Sequence, residues 1–187
     1  VLGMLNLLEN FPMGDVSSAS GEALQIKIEA KKLAYADMLQ FVCDPRFASA
    51  PVLGMLSKDY ARERSQLIDT NRANCNVPAG RPPNMGTDTT YLCVVDAEGN
   101  MVSYIQSIYD SFGSGIVAEG TGFPLQNRGG LFTLNPDHPN VLSGRKRPLH
   151  TIIPGFMSKG DLRIAFGIMG GWNQSQAHAQ FVSNVID

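Results

Sequence analysis

Residues 89–110, TTYLCVVDAEGNMVSYIQSIYD, read as a β-hairpin. TTYLCVVD and MVSYIQSIYD are rich in β-branched and aromatic residues, and AEGN between them supplies the Gly and Asn of a turn. The turn length sets the register. A turn at Glu98-Gly99, or over Ala97 to Asn100, pairs Thr90 with Ser107 and Thr89 with Ile108, whereas a three-residue loop pairs Thr89 with Ser107 directly. Both registers leave the hydroxyls of Thr89 and Ser107 close, because opposed residues in a hairpin have Cβ atoms only about 4.5–5.5 Å apart. Two hydroxyl residues on a half-exposed strand pair are also common in hairpins that do no chemistry.

Before the hairpin, TNRANCNVPAGRPPNMGTD (70–88) holds Pro78, Gly80, Pro82, Pro83 and Gly86 without periodicity. It reads as a long exposed connection, of the kind that is usually functional or a linker. Further back, residues 20–44 place Leu24, Ile28, Tyr35, Leu39 and Val42 at helical spacing, with serines before the run and Pro45 after it. Lys31 and Lys32 fall on the opposite, solvated face of that helix. A second helix starts after Ser57, which can cap it. Its apolar stripe is Tyr60, Ala61, Leu67 and Ile68, with its Arg and Glu residues at the surface.

After the hairpin, Gly113, Gly115, Gly120 and Gly122 in FGSGIVAEGTGF indicate tight turns rather than a phosphate loop. NPDHPN and SGRKRP are turn-rich. DLRIAFGIMGG is a strand ending in Gly170-Gly171, followed by a helix from about Gln174. Amides at such a junction converge on a point where they can bind an anion or a developing oxyanion, although a plain tight turn has the same residues.

Over 187 residues, 43% are apolar and 17% charged, the composition of a globular chain with one sizeable core. Lys+Arg 15 against Asp+Glu 17, without any run of like charge, removes the electrostatic footprint of a nucleic-acid or membrane-surface binder. No stretch approaches the roughly 18 apolar residues of a membrane span, and the N-terminus has no basic region followed by an apolar run. Cys43, Cys75 and Cys93 match neither a disulfide framework nor a CxxC metal site. Cys43 and Cys93 read as small buried hydrophobes. The chain opens on Val1 and stops within an amphipathic pattern, QFVSNVID, which suggests a fragment.

TTYLCVVDAEGNMVSYIQSIYDSFGSGIVAEGTGFPLQN, with GRKRPLHTIIP and GIMGG after it, resembles the small subunit of a γ-glutamyltranspeptidase, a family of N-terminal-nucleophile hydrolases. EAKKLAYAD and MLSKDYARERSQLID resemble the end of that family's large subunit. The resemblance implies an α+β fold, part of a four-layer αββα sandwich, with residues 1–88 as the C-terminal part of the large subunit and 89–187 as the N-terminal part of the small one. It implies a precursor that cuts itself between Asp88 and Thr89 into a heterodimer. Thr89 then becomes the nucleophile, its own α-amino group, with a pKa near 8, acting as base. The second hydroxyl residue of the family falls on Ser107, and the paired oxyanion glycines on Gly170 and Gly171.

Where typical members have an asparagine for the substrate carboxylate this chain has Tyr109, and Leu131 replaces the aspartate that grips the α-amino group. His150-Thr151 replaces a serine pair. Arg128 lies in the same loop as Leu131, and with His150 it can recognise a carboxylate or a polymer carbonyl; the plain alternative is surface charge and a loop histidine.

The resemblance thus implies hydrolysis of γ-glutamyl amides, glutathione-like or poly-γ-glutamate, favoured over transpeptidation and needing no metal or organic cofactor. A glutaryl (cephalosporin) acylase-like hydrolase and a degenerate, non-catalytic relative are the alternatives. Family habit points to the periplasm or secretion and unpaired cysteines point to a reducing cytoplasm, which leaves localisation open.

Overall fold

The structure, a computed structural model, describes residues 1–77 and 88–186. The prolines and glycines at 78–86 that predict a long connection lie outside them. The described residues are of mixed α+β type: helices α1 (Leu2–Leu8), α2 (Gly21–Phe41), α3 (Val52–Met55), α4 (Lys58–Ser65) and α5 (Asn173–Ile186), and strands β1 (Asp88–Val95), β2 (Met101–Tyr109), β3 (Gly155–Lys159) and β4 (Leu162–Phe166). No helix among them is long and apolar enough to cross a membrane. The chain divides into two compact units: Val1–Arg81 with Thr133–Arg147 and Ala179–Asp187, and Pro82–Phe132 with Pro148–His178.

In the first unit, α2 begins where Ser20 accepts a hydrogen bond from the Ala23 amide at 3.1 Å, and α4 where Ser57 accepts one from the Tyr60 amide at 3.1 Å. Each hydroxyl satisfies a helix-start amide that would otherwise lack a partner. The core joins Leu7 and Leu8 of α1 to Met13, Ile68 and the α2 stripe Ala23, Ile26, Ala30 and Leu33.

That stripe corrects the expected one in part: Tyr35 is buried as the spacing predicts. Leu24 and Ile28 are exposed, and small alanines occupy the buried positions because α1 packs closely there. Leu67 is likewise exposed, while Ala61 and Ile68 are buried. Lys32 is not simply solvated: its ammonium lies 2.6 Å from the buried Glu29 carboxylate and donates to the Asn74 carbonyl at 3.1 Å. Arg64 of α4 also leaves the surface to pair with Asp37 at 2.9 Å. Cys43 is half-buried, but Cys93 is exposed, so the apolar neighbours of Cys93 in sequence do not bury it.

Asp44, just after α2, is buried between two arginines, Arg46 at 2.7 Å and Arg147 at 3.2 Å, and it also accepts the Arg147 amide at 3.0 Å. Hydrogen bonds from Arg46 and then Arg147 hold its carboxyl well below the usual carboxylate range, burial opposing them. The turn-rich SGRKRP segment is thereby fastened to the end of α2.

In the second unit β1 pairs antiparallel with β2, and β3 with β4. The strand predicted to run to Gly170-Gly171 ends at Phe166, four residues short of Gly170. The glycines therefore sit in the loop between β4 and α5. Gly113, Gly115, Gly120 and Gly122 all take positive φ, as tight turns require.

Asp44→Asn is expected to lower stability at neutral pH. A depressed folded-state pKa stabilises above the unfolded value and loses that stabilisation as pH falls through the folded one. The gap between wild type and variant should therefore narrow below about pH 4, as measured by urea unfolding between pH 7 and 3. A gap independent of pH would contradict the clamp.

Candidate active site

The hairpin takes the second of its two possible registers, with Thr89 opposite Ser107. The reason is the loop. Asp96 binds Asn100 through its backbone at 3.1 Å and its carboxylate at 2.8 and 2.7 Å, and Gly99 turns with φ 84°. An odd number of residues, Asp96 to Asn100, thus lies between the last ladder pair, Val95 and Met101. Thr89 Oγ1 donates to Ser107 Oγ across the strands at 3.2 Å.

The pairing shifts again between Asp88 and Thr89: Asp88 stands opposite Tyr109, and Ile108 is bulged out. Bulges of this kind re-aim side chains at strand ends. Here the freed Ile108 carbonyl accepts from the Asn127 amide at 3.1 Å, and the Asn127 side chain accepts from the Asp110 amide at 3.1 Å. Tyr109 adopts φ 82°, a left-handed conformation uncommon outside glycine, which turns its amide onto Ser107 Oγ at 2.9 Å. Ser107 is thereby oriented by backbone on one side and by Thr89 on the other.

Thr89, Ser107, Met169 and Gly170 line one open cleft of about 1240 Å³. Gly170 (φ 113°) and Gly171 (φ 51°) lead into α5, their carbonyls accepting from the amides of Asn173 at 2.9 Å and Gln174 at 3.1 Å. Gly170 reaches the cleft; Gly171 is buried and is not part of its lining.

The other candidates form a second cluster. Tyr109 is fully buried, and the Arg128 guanidinium lies over its ring at 5.0 Å. Arg128, 2% exposed, donates to Thr151 Oγ1 at 2.9 Å, and its Nη2 has no hydrogen-bond partner among the described residues. Leu131, on the same short 3-10 turn (Arg128–Leu131), is buried too. Burial lowers the pKa of Arg128, opposed by Tyr109. Burial raises that of Tyr109, opposed by Trp172 and Arg128, with Asp110 adding to the rise. His150 does not join this cluster: it is exposed, and its Nδ1–H donates to the Pro148 carbonyl at 2.9 Å. The expected Arg128–His150 pair is thus an Arg128–Thr151 pair. The sequence reading missed Asn127, whose position beside Arg128 in LQNRGG was the available signal, and Trp172, next to the glycine pair.

No group of three or more His, Cys, Asp or Glu arranged to hold a metal occurs among the described residues.

A family model described as gamma-glutamyltranspeptidase matches residues 1–187, and the chain belongs to that family. It is 38% identical to the glutathione hydrolase-like YwrD proenzyme of Bacillus subtilis, over 98% of this chain and 34% of that protein. It is 34% identical to the glutathione hydrolase proenzyme of Escherichia coli, over 100% of this chain and 35% of that protein. Among solved structures, a cephalosporin acylase from Bacillus halodurans superposes with a TM-score of 0.85 at 42% identity, covering 100% of this chain and 33% of that one. The chain therefore spans about a third of the length of the relatives it matches.

A buried guanidinium such as that of Arg128, with no carboxylate paired to it among the described residues, costs folding free energy. Arg128→Met is accordingly expected to leave unfolding free energy unchanged or raised, read by urea denaturation. A loss of more than about 2 kcal/mol would mean that the guanidinium supports the fold instead, the cost expected when a needed buried polar partner is removed.

Proposed function

We propose that the complete gene product is a self-processing threonine amidohydrolase that cleaves γ-glutamyl amides through an acyl-enzyme intermediate, with hydrolysis favoured over transpeptidation. The observation that carries this reading is the 3.2 Å hydrogen bond between Thr89 and Ser107 at the edge of a cleft that Gly170 also lines. In the intact chain the Thr89 nitrogen is a peptide amide and cannot act as a base; cleavage of the Asp88–Thr89 bond turns it into an amine. Residues 1–88 and 89–187 then belong to the large and small subunits of a heterodimer, and the whole protein is a four-layer αββα sandwich.

In the proposed reaction Thr89 Oγ attacks the amide carbonyl while its proton passes to the new α-amino group. Ser107 keeps the hydroxyl aligned. The amide of Gly170, which lines the cleft, stabilises the oxyanion of the tetrahedral intermediate, and the buried Gly171 amide is the second proposed donor. The amine leaves with the transferred proton, and water attacks the resulting ester, giving the free acid and regenerating Thr89.

Arg128 and Thr151 are the proposed carboxylate-recognising pair, with Tyr109 as the surface that holds the guanidinium flat. His150 is exposed and outside this pair. A second reading is favoured by the same cluster. Arg128 offers a cation for a carboxylate, and Leu131 offers nothing for an ammonium, which suits a dicarboxylic acyl group such as glutaryl. The likeness to a cephalosporin acylase supports it. The relative turnover of γ-glutamyl and glutaryl anilides separates the two readings.

In the complete gene product, Thr89→Ala is expected to lower amidase activity by at least about 10³-fold, in line with loss of a nucleophile that works with its base as a unit. Activity within tenfold of wild type would overturn the proposal. Ser107→Ala should lower kcat roughly ten- to a hundredfold, the rate equivalent of the roughly 1.5–3 kcal/mol of a hydrogen bond to a group that becomes charged. Ser107→Thr, which keeps the hydroxyl, should restore most of it.

A further inference from the structure

Tyr91 lies two residues from Thr89 on β1, so its side chain leaves the same face of the strand. Its ring packs on Gly167, the first residue after β4, so closely that a β-carbon at 167 would sit 2.2 Å from Tyr91 Cδ2 and 2.3 Å from Cε2. Real β-carbons do not approach a ring carbon at that distance. Gly167 has no positive φ that would call for glycine. Its lack of a side chain is therefore required by the ring and not by the backbone.

The same contact is tied down at a second point. Tyr91 Oη is 3.0 Å from Ser103 Oγ of β2, and Ser103 Oγ donates to the carbonyl of Phe166, the last residue of β4, at 3.3 Å. The nucleophile strand, its hairpin partner and the end of β4 thus converge on one junction. Three residues beyond Gly167 is Gly170, which lines the cleft with Thr89.

We propose that Tyr91 and Gly167 are positioning residues: the ring seated on the glycine sets the height of the 167–171 loop against β1, and through it the distance from the Gly170-Gly171 amides to the carbonyl that Thr89 attacks. The inference rests on the amidohydrolase reading and adds to it. Oxyanion donors act only within a few tenths of an ångström of hydrogen-bonding distance, and a displacement of about 1 Å can cost on the order of 10²-fold in rate. On the proposed reading, ground-state binding rests on the Arg128 cluster and not on the 167–171 loop, so a shift of the loop falls on kcat and leaves KM in place.

The test is a double-mutant cycle in the complete gene product, measuring kcat and KM for anilide hydrolysis alongside thermal unfolding. Gly167→Ala is expected to lower kcat about a hundredfold with KM within about threefold of wild type. Tyr91→Phe, which keeps the ring, should stay within about threefold in kcat. In a Tyr91→Ala background the added methyl no longer meets a ring, so Gly167→Ala should cost little more than Tyr91→Ala alone. If Gly167→Ala alone does not fold, the comparison of Tyr91→Ala with the double variant decides, since a further loss of about a hundredfold in the double variant would overturn the proposal. Unchanged kcat in Gly167→Ala, or a loss confined to KM, would overturn it while the amidohydrolase reading stands. A wild type without Thr89-dependent turnover would overturn that reading and this inference with it.

Discussion

The one-residue difference between two hairpin registers governs everything at the candidate site. With the loop closed by Asp96 and Asn100, Thr89 faces Ser107; moved by one, Thr89 would face Ile108 and Ser107 would face Thr90. A slip of one residue also exchanges the faces of one strand relative to its partner, so either Tyr91 would turn away from Gly167 or Ser103 from the β4 carbonyl, and their shared junction would be lost. The bulge at Ile108 then supplies what a regular ladder does not: a backbone amide aimed at Ser107 and a backbone carbonyl free to hold Asn127. Asn127 is directly followed by Arg128, so the ladder irregularity that orients the second hydroxyl also delivers the guanidinium to the Tyr109 ring.

Buried charge is handled differently in the two units. In the first, Glu29 has Lys32, and Asp44 has two arginines and two backbone amides, so each buried carboxylate among the described residues is matched. In the second, Arg128 has a hydroxyl and an aromatic face and no carboxylate among the described residues. Matched pairs fasten segments together, α2 to the residues after α4 and α2 to the SGRKRP turn. An unmatched cation is costly to the fold and is reasonable where an anionic ligand completes it.

Much of this is legible in the sequence. The hairpin, the two serine-capped helices and the glycine turns follow from local patterns that tertiary contacts do not override. The Thr89–Ser107 neighbourhood was narrowed to two registers, and only the Asp96–Asn100 hydrogen bonds, invisible in composition, chose between them. The buried face of α2 was misread because Leu24 and Ile28 are the larger apolar residues, whereas close packing of α1 favours Ala23 and Ala30. Lys32 pairs with Glu29 three residues earlier, a spacing that a helix makes legible, but it also reaches the Asn74 carbonyl 42 residues away, and Arg64 reaches Asp37 27 residues away, distances at which sequence spacing carries no signal. For the same reason Arg128 was grouped with His150, and only the fold distinguishes the buried Thr151 from its exposed neighbour.

The central claim is that Thr89 becomes a free N-terminal nucleophile. Its most direct test is the intact mass of the purified complete gene product, followed by N-terminal sequencing of any smaller species. The account predicts two polypeptides that meet between Asp88 and Thr89, and a single unbroken polypeptide in Thr89→Ala. An unbroken wild-type chain, or a break at any other bond, would contradict it.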